Sequence, residues 1–180
     1  WICKKEYIRL TMYIKFNLLF LFLVISMNTF SNISNNPSDW YVVTDRVMGG
    51  SSNLKADFNE GIFRMTGNVV KKDGGFVRLV HNPQDVNQEV KGIRFMAKGN
   101  NETYEVHVTM QGLRMPPWAY HSSTFDVDAE WKTYEINFSN FEKKSGVSPK
   151  LRPNNIRDIS FAGYGRDFDV DLQIKNISFY

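Results

Sequence analysis

From residue 40 onward, apolar and polar side chains alternate with a period of two. Tyr104, Val106, Val108 and Met110 alternate with Thr103, Glu105, His107 and Thr109, which predicts a β-strand with one face on a core and the other toward water. The same period recurs in Ile93, Phe95 and Ala97, in Tyr134, Ile136 and Phe138, and in Val170, Leu172 and Ile174. Turn chemistry separates these runs at residues 59–61, 72–75, 99–101 and 163–165, each containing glycine. No window carries a sustained 3.6-residue period with caps; residues 137–144 offer one short helical turn around Phe138 and Phe141. Evenly spaced strands without helices predict an all-β antiparallel sandwich or barrel. Pro116-Pro117 and residues 145–153 read as long loops, and the chain shows no internal repeat.

The N-terminal part follows a different pattern. Met12, Lys15, an apolar run over residues 18–25 and small residues at Thr29 and Ser31 match a secretory signal peptide, with residues 1–11 read as non-native to it. Residues 1–31 are therefore expected to be a leader and residues 32–180 a single β-sandwich domain, exported to the periplasm or secreted. The alternative is an N-terminal membrane anchor, although the apolar run falls short of the ~20 residues that span a bilayer. No stable membrane span is expected in the mature form.

Composition changes the picture in one respect. The chain carries a net charge of +3, but Lys4, Lys5, Arg9 and Lys15 against Glu6 account for all of it, leaving the domain neutral. A nucleic-acid partner is not expected, because no basic stripe survives beyond Lys71-Lys72 and Lys143-Lys144. The only cysteine, Cys3, lies in the leader, which excludes a disulfide or thiolate chemistry in the domain.

Candidate chemistry is sparse. His81, His107 and His121 accompany no serine elbow, so a hydrolase triad is poorly supported; His107 is expected to point outward. Asp126, Asp128 and Glu130 read as a solvated strand end rather than a glycosidase pair. Asp167, Asp169 and Asp171 offer oxygen ligands for calcium but lack the spacing of a calcium loop. Nucleotide and zinc fingerprints are absent, and neither a cofactor nor a resident metal is expected. Trp118 and Tyr120 follow two prolines and sit two apart, so if exposed they would form a stacking platform for a sugar or peptide; His121 adjoins them.

The most distinctive text is residues 40–51, W-Y-V-V-T-D-R-V-M-G-G-S, answered by Gly74-Gly75. Paired glycines mark backbone that takes positive φ or approaches another segment closely. Trp40, Met48, Gly49, Gly50, Gly74 and Gly75 are therefore assigned structural roles. Asp45 and Arg46 are the residues to watch for ligand contact.

Asp45 to Ser52 resembles the D-x-V-M-G-G-x-S signature of the complex I intermediate-associated protein 30 family. Gly61-Ile62-Phe63 with Gly67, Gly74-Gly75-Phe76-Val77, Gly92-Ile93 with Tyr104, Trp131, Phe141, and Ile156 with Ile159 match further motifs in order. The resemblance implies a galactose-binding-like jelly-roll β-sandwich and a non-catalytic module. Mitochondrial members assist complex I assembly and plant relatives are linked to photosystem assembly. An export leader argues against transferring the assembly role itself. The expectation is an exported binding or assembly-assisting module, not an enzyme, with a protein or glycan partner; the alternative is a carbohydrate-binding domain that stacks sugars on Trp118 and Tyr120.

Overall fold

The computed structural model describes residues 33–180 apart from 73, 113–118 and 147. The described residues form two antiparallel sheets packed as a jelly-roll sandwich. One sheet has six strands in the order β1 (Trp40–Thr44), β4 (Phe76–His81), β10 (Ile156–Tyr164), β6 (Thr103–Met110), β7 (His121–Asp126) and β9 (Glu142–Lys143). The other has five, in the order β2 (Asn53–Asn59), β3 (Ile62–Val69), β11 (Phe168–Phe179), β5 (Gly92–Gly99) and β8 (Lys132–Asn137). Strands contiguous in sequence thus pass between sheets, and the inward members of each alternation meet in one core.

Aromatic rings occupy the centre of that core. Phe95 lies edge-on to Phe125 and Phe161, with centroids 5.0 and 4.9 Å away, and stacks on Tyr134 at 5.3 Å. Trp40 packs on Phe63 and on the His81 ring, and its indole N–H donates to the Ser34 carbonyl at 2.8 Å. The β2–β3 connection is a two-residue turn in which Glu60 and Gly61 both take positive φ, 48° and 79°. That conformation matches the twist of the flanking strands.

Two expectations need correction. Residues 137–144 hold a 3-10 turn at Phe138–Asn140, capped by the Asn137 side chain, and then β9, so Phe138 leaves the strand alternation. The outer face of β6 is not wet: His107 and Thr109 are buried. This strand lies between β10 and β7, whose outward side chains crowd it, and Tyr120 lies flat over His107.

The signature forms a clamp between the two sheets. Asp45 opens a 3-10 turn, Asp45–Met48, directly after β1. Its Oδ1 accepts the Ser52 N–H at 3.0 Å, while Oδ2 accepts the Ser52 hydroxyl at 2.6 Å and the Gly75 N–H at 2.7 Å. Ser52 Oγ in turn accepts the Val70 N–H at 2.9 Å, and Arg46 Nε donates to the Ser52 carbonyl at 3.0 Å. One buried carboxylate therefore joins the end of β1, the approach to β2, the exit of β3 and the start of β4. Burial pushes its pKa up, but the Ser52 hydroxyl and the Gly75, Ser52 and Phe76 N–H groups outweigh this and hold it below the ordinary value.

The glycines serve that carboxylate for different reasons. Gly49 and Gly75 both have φ of 89°, in the left-handed region. Gly50 and Gly74 are instead denied space: a Cβ would stand 2.3 Å from Asp45 Cγ at Gly50 and 2.5 Å from Asp45 Cβ at Gly74.

Two outcomes follow for stability. Gly49→Ala is expected to cost about 1 kcal/mol through strain alone, and Gly50→Ala about 2–4 kcal/mol because it must push the clamp apart. Thermal unfolding of the two variants checks the order, and equal melting temperatures would contradict it. Asp45→Asn is expected to cost about 3 kcal/mol at neutral pH, since an amide cannot accept at both ends. Because the folded pKa is depressed, this contribution is complete above the unfolded pKa and fades as pH falls through the folded one. Urea unfolding of wild type and variant across acidic pH should show their stabilities converging.

Candidate functional site

The six-stranded sheet turns its core-facing residues inward and exposes a second face built from the alternate positions. Cross-strand register brings Val43 opposite Arg78, Arg78 opposite Ala162, Tyr164 opposite Phe76, and Ser160 opposite His107. At one end of this face lies a hollow of about 300 Å³, whose lining includes Val47, Met48, Phe76, Arg78, Tyr120 and Tyr164.

Its floor is a connected polar network. Arg78 Nε donates to Ser160 Oγ at 2.9 Å, and Arg78 Nη2 donates to Asp158 Oδ1 at 3.0 Å. Asp158 also accepts from the Thr109 hydroxyl at 2.8 Å and from Arg157 Nε at 3.0 Å. Two arginines and a hydroxyl thus hold one buried carboxylate, the condition under which a buried charge is tolerated. Arg78 lines the hollow, and its fork retains further N–H donors.

Beside this network stands His107. The ring is sandwiched at 4.2 Å by Tyr120, met edge-on by Tyr164 at 5.7 Å, and bonded through Nε2 to Glu105 Oε2 at 2.7 Å. The carboxylate can only accept, so Nε2 carries the proton and Nδ1 presents a lone pair. Nδ1 is buried and has no hydrogen-bond partner among the described residues. Burial pushes the His107 pKa down against the pull of Glu105, keeping the imidazole neutral. Burial acts to raise Glu105 as well, but the hydrogen bonds from His107 and Ser122 prevail and keep it ionised. Burial and the Tyr164 hydroxyl push the Tyr120 phenol up, so it too is neutral. Among the described residues no nucleophile contacts the free His107 nitrogen, and Asp158 is held by three donor side chains; the arrangement offers hydrogen bonds and apolar surface.

The rim comes from the signature turn. With Asp45 drawn inward, Val47 and Met48 project to solvent, 72% and 50% exposed. Met48, expected from sequence to have a structural part, is half exposed and borders the hollow. Asp45 is not turned toward a ligand, since both of its oxygens are taken by the clamp. Arg46 is exposed but spends its Nε on the Ser52 carbonyl.

The other expected site residues fall as follows. Trp118 lies outside the described residues. Tyr120 is buried with one face on His107, so it offers no free stacking ring, and the expectation that His107 points to water is overturned. His121 is buried, 2.8 Å from the Pro149 carbonyl, and lines a different cleft. The acidic stretch does not converge: Asp167 accepts the Lys71 N–H, Asp171 pairs with Arg64 at 3.1 Å, and among the described residues no three His, Cys, Asp or Glu side chains are grouped to hold a metal ion. Sequence reasoning passed over Arg78, Asp158 and Tyr164. One signal was available for Arg78, a lone charge inside F-V-R-L-V-H, where an uncompensated cation would not be buried.

The profile of Complex I intermediate-associated protein 30 matches residues 29–174. The chain belongs to this family. No curated protein sequence matches it. Among solved structures, the chain is similar to a family 11 carbohydrate-binding module from Clostridium thermocellum in complex with a β-1,3-1,4-mixed-linked tetrasaccharide. The similarity there has a TM-score of 0.68 at 16% identity over 83% of this chain and 94% of that one. The family 11 module of cellulosomal cellulase Lic26A-Cel5E of the same organism gives 0.62 at 18% identity, over 78% of this chain and 86% of that one. A CBM4 structure gives 0.54 at 15% identity, over 82% and 90%. At these identities the likeness extends to the fold. The complex I intermediate-associated protein 30 domain of this chain is thus a jelly-roll β-sandwich with a hollow on its outer sheet face.

The buried histidine gives that site a pH response. With its folded pKa depressed, His107 binds a proton more weakly than it does unfolded, so stability falls as pH drops below the ordinary histidine value. Urea unfolding at pH 7 and pH 5 should show a loss that His107→Phe reduces, and an equal loss in both proteins would contradict the assignment.

Proposed function

We propose that this domain is a non-catalytic binding module, and that its ligand seat is the hollow between the signature turn and the outer face of β4, β10 and β6. The observation that carries this reading is the exposure of Val47 and Met48 beside a neutral aromatic and ion-paired floor. Exposed large apolar side chains are costly unless something covers them, and contiguous ones mark interaction sites. Tyr164 and Tyr41, at 42% and 45% exposed, lie on the same sheet face and widen the patch. An apolar rim of this kind fits a partner protein, in keeping with an assembly-assisting role for the family fold. The apolar run at residues 18–25 after Lys15 supports action outside the cytoplasm. No helix among the described residues is long and apolar enough to cross a membrane.

A second reading is carbohydrate binding. It is supported by the shared fold with carbohydrate-binding modules and by the further N–H donors of Arg78 at the hollow. Tyr164 then supplies the exposed ring in place of Tyr120.

Photo-crosslinking separates the two. A crosslinker placed at Val47 in the full chain, expressed in its own cells, is expected to capture a protein, whereas one at Lys55 on the far sheet captures none. Met48→Asp should abolish capture while changing stability by no more than about 0.5 kcal/mol. Equal capture from both positions would remove the hollow as the seat. Calorimetric binding of mixed-linked β-glucan tetrasaccharide, lost in Arg78→Ala, would establish the carbohydrate reading instead.

A further inference from the structure

A second hollow, of about 610 Å³, shares no lining residue with the first. Its walls come from separate parts of the chain: Lys91 before β5, Phe138 in the 3-10 turn after β8, Lys143 in β9, and Lys150 in the loop before β10. Backbone bonding fixes these parts around one opening. The Phe138 N–H donates to the Lys91 carbonyl at 2.8 Å, Lys143 pairs across the ladder with His121, and the His121 ring reaches the Pro149 carbonyl at 2.8 Å. Phe138 and Leu151, both half-buried, supply apolar floor.

Among the described residues most cations meet a carboxylate or an aromatic ring; Arg46, Lys71, Lys72 and Arg152 meet neither, and the same holds for the three gathered at this cleft. Lys55, Lys132 and Lys144 meet Asp57, Asp128 and Glu142, and Arg64, Arg78, Arg94, Arg157 and Arg166 each meet a carboxylate. Lys98 and Lys175 lie over the Trp131 ring. Lys91, Lys143 and Lys150 have neither kind of partner among the described residues, and no Asp or Glu lines the cleft. Glu142, the nearest acid in sequence to Lys143, is held by Lys144 at 3.0 Å. In a domain that is neutral overall, three lysines lining one cleft without an acid beside them concentrate positive potential at that opening.

We propose that this cleft binds an acidic peptide segment of a partner protein, its carboxylates meeting Lys91, Lys143 and Lys150 and an apolar side chain seated on Phe138 and Leu151. Lysine ammonium groups are point charges on flexible stems and accept carboxylates without a fixed bidentate geometry. The apolar floor rewards a hydrophobic side chain, which a purely hydroxylated or phosphorylated ligand lacks. The volume lies within the ~300–1,000 Å³ of small-ligand sites. The cleft acts independently of the hollow by the signature turn, so either can fail without the other.

Fluorescence anisotropy with the full chain and a labelled peptide Glu-Phe-Glu-Glu-Leu-Glu tests the assignment. Binding is expected to weaken with salt and to drop by roughly tenfold or more in the combined Lys91→Gln, Lys143→Gln, Lys150→Gln variant. The Lys71→Gln, Lys72→Gln variant should bind as wild type. Removing three unpaired like charges leaves the fold intact, which circular dichroism verifies, and the single variants serve if it does not. Equal binding of the peptide with Gln in place of Glu, or unchanged binding by the triple variant, overturns the proposal. So does an absence of peptide binding alongside lysine-dependent binding of polygalacturonate or heparin oligosaccharides, which would assign the cleft to an acidic glycan.

Discussion

Everything distinctive about this domain depends on one buried carboxylate. Asp45 has no cationic partner among the described residues; it is held by a hydroxyl and by backbone N–H groups from two other segments. A charge buried in that way is stable only while every donor stays in place. The donors belong to chain segments leading into β2 and β4, so the carboxylate can be satisfied only when both sheets are assembled. The signature glycines follow from the same requirement, two by left-handed backbone and two by the absence of room for a Cβ. A motif that looks like a phosphate-cradling turn is in this fold an internal anion site already filled by its own Asp.

Filling that site from within has a consequence for the surface. Because the 3-10 turn closes on Asp45, the residues between it and Gly49 have no route into the core. Val47 and Met48 are pushed out over the face where Arg78, Asp158 and His107 lie. The same short segment therefore ties the sandwich together and shapes the rim of its hollow.

Much of the fold was legible in the chain. The period-two runs at 93–97, 103–110 and 170–174 each became a strand, and the turn chemistry at residues 59–61 became a hairpin with both central residues at positive φ. The site was far less legible. His107 alternates with apolar neighbours as an exposed residue would, yet it is buried, because the outward side of β6 is covered by Tyr120 from a loop and by side chains of β10. Tyr120 looked like half of an exposed platform and is the cover itself. Asp158 and Arg78 are 80 residues apart and adjacent in space. Nothing local in either strand announces the other.

The sequence by itself determined the fold class and the family, since these rest on periodicity and on motifs in a fixed order; which glycines take positive φ and which merely leave room was decided by the structure. Only the tertiary structure decided which face of the six-stranded sheet is covered, which charges are paired, and that Lys91, Lys143 and Lys150 line one cleft. Those properties depend on register and strand order across distant segments. Alternation along one strand states that two faces differ; what lies over the second face is set by neighbours that the strand does not encode.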